Sequence, residues 1–230
     1  MCIRERIIEV PFTNNSTTKR YFDGSGVAKH LQFKNDLRTQ SYELTPYDET
    51  LLLDSDYIIA NSLFKHCFEQ DHDFLIFKNA IDLTAWRNTD EFQKISDASV
   101  DFYWATVIFF RKSEENKIFF DLTKHIQENW DHYNSIFQVN RGIFRNDHVF
   151  SVAIHIMNGY QSGDFARKLP GKKYYTADRD ILWELKDDNF LFLLEKENHL
   201  GEYTPLRIKG SNVHVMNKFS LNRIIDRGEV

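Results

Sequence analysis

A short apolar run that ends at two carboxylates constrains the fold of this chain more than any other feature. Residues 51–53 are all leucine, and Asp54 and Asp56 follow them. An unbroken apolar run is typical of a strand that is covered on both faces of a sheet. Because ligands of open α/β sheets bind beyond the carboxyl ends of the strands, both carboxylates are expected in a binding site. The alternative is that they cap the next turn, with Ser55 bonding backbone N–H groups.

The same spacing of two aspartates recurs elsewhere in this acidic chain. Asp71 and Asp73 form one further pair, and Asp178 and Asp180 form another. Neither of these pairs follows an apolar run of strand character. The sequence context therefore singles out the first pair as the candidate site.

Composition limits the class of protein without naming a function. With 230 residues, 42% of them hydrophobic, the chain can bury one substantial core, so a single domain over residues 1–230 is the simplest organisation. The net charge of -5 provides no general attraction to DNA or membranes, so an anion site must be local. Cys2 and Cys67 lie far apart, which argues against a disulfide scaffold or a zinc site. Without an apolar stretch of about 20 residues, we expect a cytoplasmic protein with no membrane anchor.

Short apolar strands alternate with amphipathic helices along the sequence. Strands are predicted at residues 7–10, 51–54, 74–77, 103–110, 190–194, 206–208 and 213–215. Helices are predicted at residues 27–42, from Ser113 onwards, from Asn146 to Asn158, and at residues 221–225. Polar residues fill positions 161–180. This order predicts an α/β fold, with a mixed β-sheet and helices on both faces.

The order of charged residues resembles that of a glycosyltransferase of the GT-A fold. The features that carry the resemblance are, in chain order, Lys34, Tyr47-Asp48, the segment Leu51–Ile58 with Asp54 and Asp56, a hydrophobic strand, the segment Arg145-Asn146-Asp147-His148, and His214 with Lys218. The chain is most similar to the glycogenin-like and galactosyltransferase-like branch, which includes phage-encoded relatives, for which the location would be the host cytoplasm. The resemblance covers residues 30–225, and its most specific element is the strand-end aspartate pair together with the late histidine.

This resemblance implies a GT-A-like (Rossmann-like) domain that transfers a sugar from a nucleotide-diphospho-sugar to an acceptor hydroxyl. The donor is expected to be a UDP-sugar, and Mn²⁺ or Mg²⁺ is expected to be held by Asp54, Asp56 and His214. A divalent cation stabilises the charge that develops on the leaving diphosphate, and carboxylates with an imidazole suit either metal. The alternative for His214 is a hydrogen-bonded histidine of the core.

Three cations are expected by resemblance to contact the donor. Lys34 and Arg38 would lie one turn apart on the predicted helix at 27–42, and Lys218 would contact the diphosphate. The family pattern His-Phe-x-Gly-x-x-Lys is replaced here by His214-Val-Met-Asn-Lys218, without the glycine and with a shorter spacing. The alternative for each cation is an ordinary exposed basic residue.

Asp147 and His148 are the candidate catalytic residues. Asp147 resembles the acid of the family's Asp-Gln segment, and either residue could act as a side-chain base if the reaction is inverting. The alternative for Asp147 is an ordinary role at the start of a helix. The segment Tyr103-Trp104-Ala105-Thr106 stands where many relatives have Asn-Ala-Gly before a strand, and Trp104 could stack on a sugar or pack in the core.

The front of the chain departs from the family. GT-A enzymes normally use a first strand and helix to hold the nucleoside base, but here 53 residues precede Asp54. We therefore expect part of the N-terminal nucleotide-binding unit to be lacking, or the base to be held differently. The alternative function is a catalytically silent GT-A-like protein that binds nucleotide-sugars or carbohydrates. Nucleotidyl transfer or nuclease chemistry would usually need a further converging carboxylate, which the sequence does not identify.

The acceptor is predicted from residues 165–175, which contain four cations, no acid and two tyrosines. Such a segment suits contacts to phosphates and stacking on an extruded base, so a hydroxymethylated DNA base is the predicted acceptor. A glycan or protein hydroxyl is the alternative. The segment could also be a solvated loop, in keeping with the negative net charge of the chain.

Overall fold

The computed structural model describes residues 17–22, 28–33, 37–84, 93–95, 100–139, 144–196 and 199–228. Within these ranges the chain is a mixed α/β protein with two four-stranded mixed sheets, a three-stranded antiparallel sheet and a two-stranded hairpin. This confirms the predicted α/β class. Instead of one sheet, the strands are divided among several. The predicted strand at 7–10 and Lys34 lie outside the described residues.

Strands occur in both halves of the described chain, and most helical residues lie between them at 114–157. The strands are β1 (Thr17–Phe22), β2 (Ala28–Phe33), β3 (Glu49–Leu53), β4 (Tyr57–Ile58), β5 (Phe74–Phe77), β6 (Ala80–Asp82), β7 (Trp104–Arg111), β8 (Arg167–Lys168), β9 (Lys173–Thr176), β10 (Leu182–Lys186), β11 (Asn189–Glu195), β12 (Tyr203–Lys209) and β13 (Val213–Val215). The helices are α1 (Ser41–Leu44), α2 (Glu114–Glu128), α3 (Trp130–Ile136), α4 (Asn146–Met157) and α5 (Lys218–Asp226), with 3-10 turns at Arg38–Gln40 and Leu63–Glu69.

The first four-stranded sheet has the order β3-β7-β5-β8. Its two inner strands, β7 and β5, are antiparallel to each other and almost wholly buried. The predicted strand at 51–54 is confirmed as β3, but the expectation that it is covered on both faces is wrong. It forms the edge of this sheet, antiparallel to β7, and its three leucines are only half-buried against the core.

The second four-stranded sheet has the order β4-β13-β9-β6. Strand β13 is antiparallel to β4 and parallel to β9, which in turn is parallel to β6. Strand β9 lies within the stretch 161–180, where the sequence analysis saw only polar residues. Strand β9 pairs with β13 on one side and β6 on the other. This pairing buries Lys173 and Tyr175, although the flanking segment is polar. The third sheet, β10-β11-β12, is antiparallel throughout.

Helices α2 and α4 begin where the sequence analysis predicted. The side-chain oxygen of Ser113 accepts a hydrogen bond from the backbone N–H of Asn116, and α4 ends at Asn158, before Gly159 with φ of 70°. Phenylalanine rings tie α2 to the first sheet, such as Phe74 against Phe119 at 4.6 Å between centroids, and tie α4 to α2 through Phe150 against Phe119 at 5.6 Å. Each such ring pair contributes about 0.5–1.5 kcal/mol beyond the burial of its area.

The predicted helix at 27–42 is wrong. Residues 28–33 form β2, which pairs with β1 as an antiparallel hairpin, and Arg38 begins a 3-10 turn that leads into the short α1. Within this strand only residues 30–33, His-Leu-Gln-Phe, alternate polar and apolar, a short match to the two-residue period of a strand that the helical interpretation overlooked. Arg38 therefore reaches the candidate site from a turn.

Candidate active site

Asp54, Asp56 and His214 come together at one point of the structure. One possible ligand atom from each residue lies within 4.8 Å of those from the other two. Asp54 directly follows β3, and the N–H of Tyr57 donates to the carbonyl of Asp54 at 3.1 Å, which turns the chain into β4. Because β4 pairs with β13, His214 stands opposite Tyr57 and therefore beside the turn. Sheet pairing thus joins residues that are 158 positions apart.

The imidazole of His214 lies between a carboxylate and a lysine. Its Nε2 is 3.0 Å from Asp56 Oδ1 and 3.8 Å from Asp54 Oδ2, and its Nδ1 is 3.4 Å from Lys173 Nζ. An ammonium group can only donate, so with Lys173 protonated Nδ1 accepts and Nε2 carries the proton that bonds Asp56. Burial lowers the pKa of His214, and the charge of Lys173 lowers it further. His214 is therefore a neutral, oriented imidazole.

Each of the two carboxylates has a cationic partner. The guanidinium of Arg38 donates to Asp54 Oδ1 and also to the carbonyl oxygens of Ala105 and Thr106. The ammonium of Lys218, the first residue of α5, pairs with Asp56 Oδ2. Two of the three cations predicted to bind the donor are thus beside the predicted metal ligands.

The pKa values of the two carboxylates are shifted in opposite directions. Burial raises the pKa of Asp54, and this effect outweighs the charge of Arg38 beside it. Burial would also raise the pKa of Asp56, but the hydrogen bonds from His214 and Lys218, together with the charge of Lys218, hold that pKa well below its usual range. Asp56 is therefore the firmly ionised member of the pair.

Lys173 is the residue of the site that the sequence analysis did not identify. It was assigned to the exposed basic segment, but its side chain is fully buried, with Nζ 5.2 Å from the ring centre of Trp104 and 5.7 Å from that of Tyr57. Burial lowers the pKa of Lys173 to about 7, against the opposing effect of the nearby carboxylates. A run of two tyrosines and Thr176 after Gly171 could have indicated a strand that carries Lys173 inward.

The remaining members of the basic segment are more exposed. Arg167, Lys168 and Lys172 lie at the surface, whereas Tyr175 is buried against the ring of Trp104 at 5.0 Å. Trp104 is itself buried and so packs in the core instead of offering an open ring. Two of the six charged or aromatic groups expected at the acceptor surface are therefore inside the protein.

Asp147 joins the start of α4 to β7. Its Oδ1 accepts from the N–H of Ala105 at 2.8 Å, and its Oδ2 accepts from Arg145 Nε at 3.1 Å. Burial would raise the pKa of Asp147, but the charge of Arg145 and the bond from Ala105 hold it below its usual value. Ala105 is also the residue whose carbonyl accepts from Arg38. Asp147 thus lies one backbone unit from the groups that fix Asp54.

His148 packs among aromatic rings. It is 1% exposed, parallel to the indole of Trp130 at 6.1 Å and edge-on to Phe102 at 5.9 Å. These contacts are those of a core histidine. Asp147 and His148, adjacent residues at the start of α4, therefore lie in different surroundings. Asp147 contacts β7, and His148 lies in the core.

Comparisons with known proteins found no match among family models, curated proteins or solved structures. Across the described ranges, no helix has the length and apolar character needed to cross a membrane.

Proposed function

We propose that this chain is a GT-A-type glycosyltransferase that transfers a sugar from a nucleotide-diphospho-sugar to an acceptor hydroxyl. The observation that carries the proposal is the convergence of Asp54, Asp56 and His214 within 4.8 Å, because two carboxylates and an imidazole at one point could together hold a divalent cation for a nucleotide diphosphate. The mixed α/β architecture is compatible with this assignment. A UDP-sugar is the donor class that the resemblance favours.

The donor set fits a divalent cation of the Mn²⁺ or Mg²⁺ type. Two carboxylates and one imidazole offer hard oxygen and borderline nitrogen ligands, and the side chain of Asp54 is 34% exposed, so the cluster can be reached from solvent. Asp54, Asp56 and His214 would hold the ion. When bound, it would supply stabilisation of the negative charge that develops on the leaving diphosphate.

The two cations of the site suit different tasks. The side chain of Arg38 is 11% exposed and is fixed by three acceptors, so it orients Asp54 and the end of β7. The side chain of Lys218 is 38% exposed and has one carboxylate partner. Its ammonium can turn from Asp56 to a phosphate oxygen of the donor at small cost, since ammonium groups on flexible chains bind phosphate as point charges.

Asp147 is better suited to positioning than to proton abstraction. Both of its oxygens accept hydrogen bonds, and its pKa lies below the usual value, so its basicity at neutral pH is low. A retaining reaction, in which the leaving phosphate accepts the proton of the acceptor hydroxyl, needs no side-chain base. The arrangement around Asp147 therefore favours retention of configuration at the transferred sugar.

A catalytically silent binding protein is the second candidate. It is favoured by the pairing of both carboxylates with internal cations, Asp54 with Arg38 and Asp56 with Lys218, which neutralises them without a metal ion. Such a protein would bind a nucleotide-sugar or carbohydrate without cleaving it.

The acceptor remains a hydroxymethylated DNA base, with a glycan or protein hydroxyl as the alternative. Arg167, Lys168 and Lys172 can contact phosphates, but the burial of Lys173 and Tyr175 weakens the case for DNA. Transfer to modified DNA should fall steeply with added salt and with Lys168→Glu and Lys172→Glu together. Transfer that is indifferent to both would assign the acceptor to the alternative class.

The test is a donor screen with Mn²⁺, in which slow release of free sugar is measured for several nucleotide-sugars. Release by the unaltered chain should fall by orders of magnitude in Asp56→Asn and in EDTA. Asp71→Asn is the matched control, because it makes the same change in the exposed pair at 71–73. Nucleotide-sugar binding without release would favour the silent protein. The absence of both binding and release, or release unchanged by Asp56→Asn, would refute the proposed enzyme.

A further inference from the structure

A second concave site lies at the carboxyl-terminal end of α4. It is a pocket of about 300 Å³, in the lower part of the range for small-molecule sites. Its lining includes Asp101, Tyr103, His155, Asn158, Tyr160 and Gln161. None of the predicted metal, donor or catalytic residues lines it. We refer to it as the α4 pocket.

The rim of the α4 pocket is built by the loop that follows the helix. Gly159 and Tyr160 both have left-handed backbones, with φ of 70° and 63°. The loop then returns to Asn158, whose Oδ1 accepts from the N–H of Phe165 at 3.1 Å. A Cβ atom at Gly163 would lie 2.4 Å from the same Oδ1, so the loop closes on Asn158 only because position 163 is glycine. The loop that forms the rim therefore has a defined backbone conformation.

Two tyrosines, Tyr103 and Tyr160, line the α4 pocket. The side chain of Tyr160 contacts His155 edge-on at 5.9 Å, yet the residue is 67% exposed. A bulky residue with a left-handed backbone is uncommon, and exposure leaves little burial to explain it. Tyr103 is 6% exposed, and burial together with the charge of Asp101 raises the pKa of its hydroxyl to about 12, so the hydroxyl remains a hydrogen-bond donor at neutral pH.

The charge around the α4 pocket limits the class of ligand. The carboxylate of Asp101 is paired with both Lys78 and Lys94, and burial lowers the pKa of His155, which is thus neutral at pH 7. No lysine or arginine is among the lining residues, so the pocket lacks the usual groups for phosphate. The lining is more polar than a lipid site requires.

Uncharged groups that both donate and accept hydrogen bonds dominate the remaining lining. Asn158 and Gln161 carry amides, and Tyr103 carries a hydroxyl. A sugar ring offers the matching chemistry, with hydroxyls at its edge and an apolar C–H face that can lie against an exposed aromatic ring. We propose that the α4 pocket binds a small saccharide, with Tyr160 against the apolar face of a sugar ring and Tyr103 bonded to a hydroxyl.

The α4 pocket is connected to the candidate active site through two elements. Ser151, which also lines it, accepts from the N–H of Tyr103 at 2.8 Å and donates to the carbonyl of Asp147 at 2.6 Å. Trp104, the residue after Tyr103, contacts Lys173. The saccharide site does not require the glycosyltransferase reaction. Saccharide binding at the α4 pocket would favour the glycan alternative for the acceptor over the DNA base.

Saturation-transfer NMR on the full chain tests the proposal, with a panel of neutral and acidic mono- and disaccharides as probes. At least one saccharide of the panel should give a saturation-transfer signal. Tyr160→Ala should weaken the affinity of the protein for that saccharide by about tenfold through loss of the ring contact. Tyr103→Phe should weaken it by about fivefold, because only the hydroxyl is removed. Tyr203→Ala, which removes another exposed tyrosine on β12, is the matched control and should have no effect.

Asp56→Asn separates this site from the proposed enzyme. Saccharide binding that survives Asp56→Asn supports the α4 pocket even if no donor is cleaved. Absence of a saturation-transfer signal for every saccharide of the panel would overturn the proposal. So would binding that is unchanged in both Tyr160→Ala and Tyr103→Phe while each variant retains the thermal unfolding transition of the unaltered chain.

Discussion

At the scale of single residues, Lys173 lies in the least ordinary environment. Its ammonium group is fully buried beside two aromatic rings and the imidazole of His214. Removing a cation from water is expensive, and the nearby carboxylates already have Arg38, Lys218 and Arg145 as partners. A buried charge that the fold does not need indicates a functional constraint at this position.

Lys173→Met should therefore stabilise the protein. The methionine has a similar shape without the charge, no carboxylate loses its ion-pair partner, and the only hydrogen bond given up is the long one to His214 Nδ1 at 3.4 Å, so we expect the free energy of unfolding to rise by about 1 kcal/mol. Urea denaturation at pH 7 measures the change. Lys172→Met alters the exposed neighbour and should change stability by less than about 0.5 kcal/mol. A loss of stability in Lys173→Met relative to this control would mean that the buried ammonium supports the fold.

Asp147→Asn should destabilise the protein in a pH-dependent manner. Its carboxylate receives charge-assisted hydrogen bonds from Arg145 and Ala105, and the loss of such a bond costs about 1.5–3 kcal/mol. The pKa of Asp147 is depressed in the folded state, so its contribution is complete above the unfolded value of about 3.9 and is lost as the pH falls through the folded pKa.

Chemical denaturation of the unaltered chain and of Asp147→Asn from pH 7 to pH 3 would measure how their stability difference depends on pH. The difference in free energy of unfolding should be constant from pH 7 to about pH 5 and should shrink below about pH 4. Asp121→Asn, on the exposed side of α2, is the control and should show no such dependence. A difference that is unchanged down to pH 3 would contradict the assigned pairing.

At the scale of elements, strands and helices with a clear period could be predicted, whereas those with mixed signals could not. The strands at 74–77 and 213–215 and the start of α2 follow the sequence, because apolar runs and a serine cap mark them. The stretch at 27–42 was misassigned, since pairing with β1 decides its conformation. Strand β9 was missed because its lysine is buried by contacts that only the tertiary structure supplies.

The cap of α5 connects an element to the site. The side-chain oxygen of Asn217 accepts from the N–H groups of Phe219 and Ser220, at 3.1 and 2.9 Å, and the next residue is Lys218. Asn217→Ala should lower the free energy of unfolding by about 1–2 kcal/mol. It should also weaken nucleotide binding, because the first turn of α5 positions the lysine.

Thermal denaturation and nucleotide titration of the same variants would check both effects. Asn217→Asp keeps an acceptor at the helix start and should recover most of the stability. Equal stability of the alanine and aspartate variants would show that the two hydrogen bonds do not stabilise α5.

At the scale of the whole molecule, the candidate site forms between two sheets. Asp54 follows β3 of the first sheet, and His214 lies in β13 of the second. The sequence could suggest the residue types, because a strand-end aspartate pair and a late histidine form a recognisable pattern. It could not supply the pairing of β4 with β13, which brings them together, or the cations that neutralise the carboxylates. Such features depend on contacts between distant segments.

A ligand that contacts both sheets should stabilise the molecule as a whole. With Mn²⁺ and UDP at 100 times their dissociation constant, binding to the folded state alone adds about 2.7 kcal/mol to the free energy of unfolding. His214→Ala removes the contribution of the second sheet and should abolish most of this gain. Its effect on the metal-free protein should be smaller, because the imidazole makes one short bond, to Asp56.

Calorimetry with and without Mn²⁺ and UDP would measure both quantities. His66→Ala, an exposed histidine in the 3-10 turn Leu63–Glu69, is the matched control and should retain the full gain. If His214→Ala retained the gain as well, the histidine would lie outside the coordination sphere, and the ion would have to be held by the carboxylates of the first sheet and the adjoining turn. The ligand would then stabilise mainly that part of the molecule, and the link between the two sheets would rest on the turn at residues 54–56, which joins β3 of the first sheet to β4 of the second.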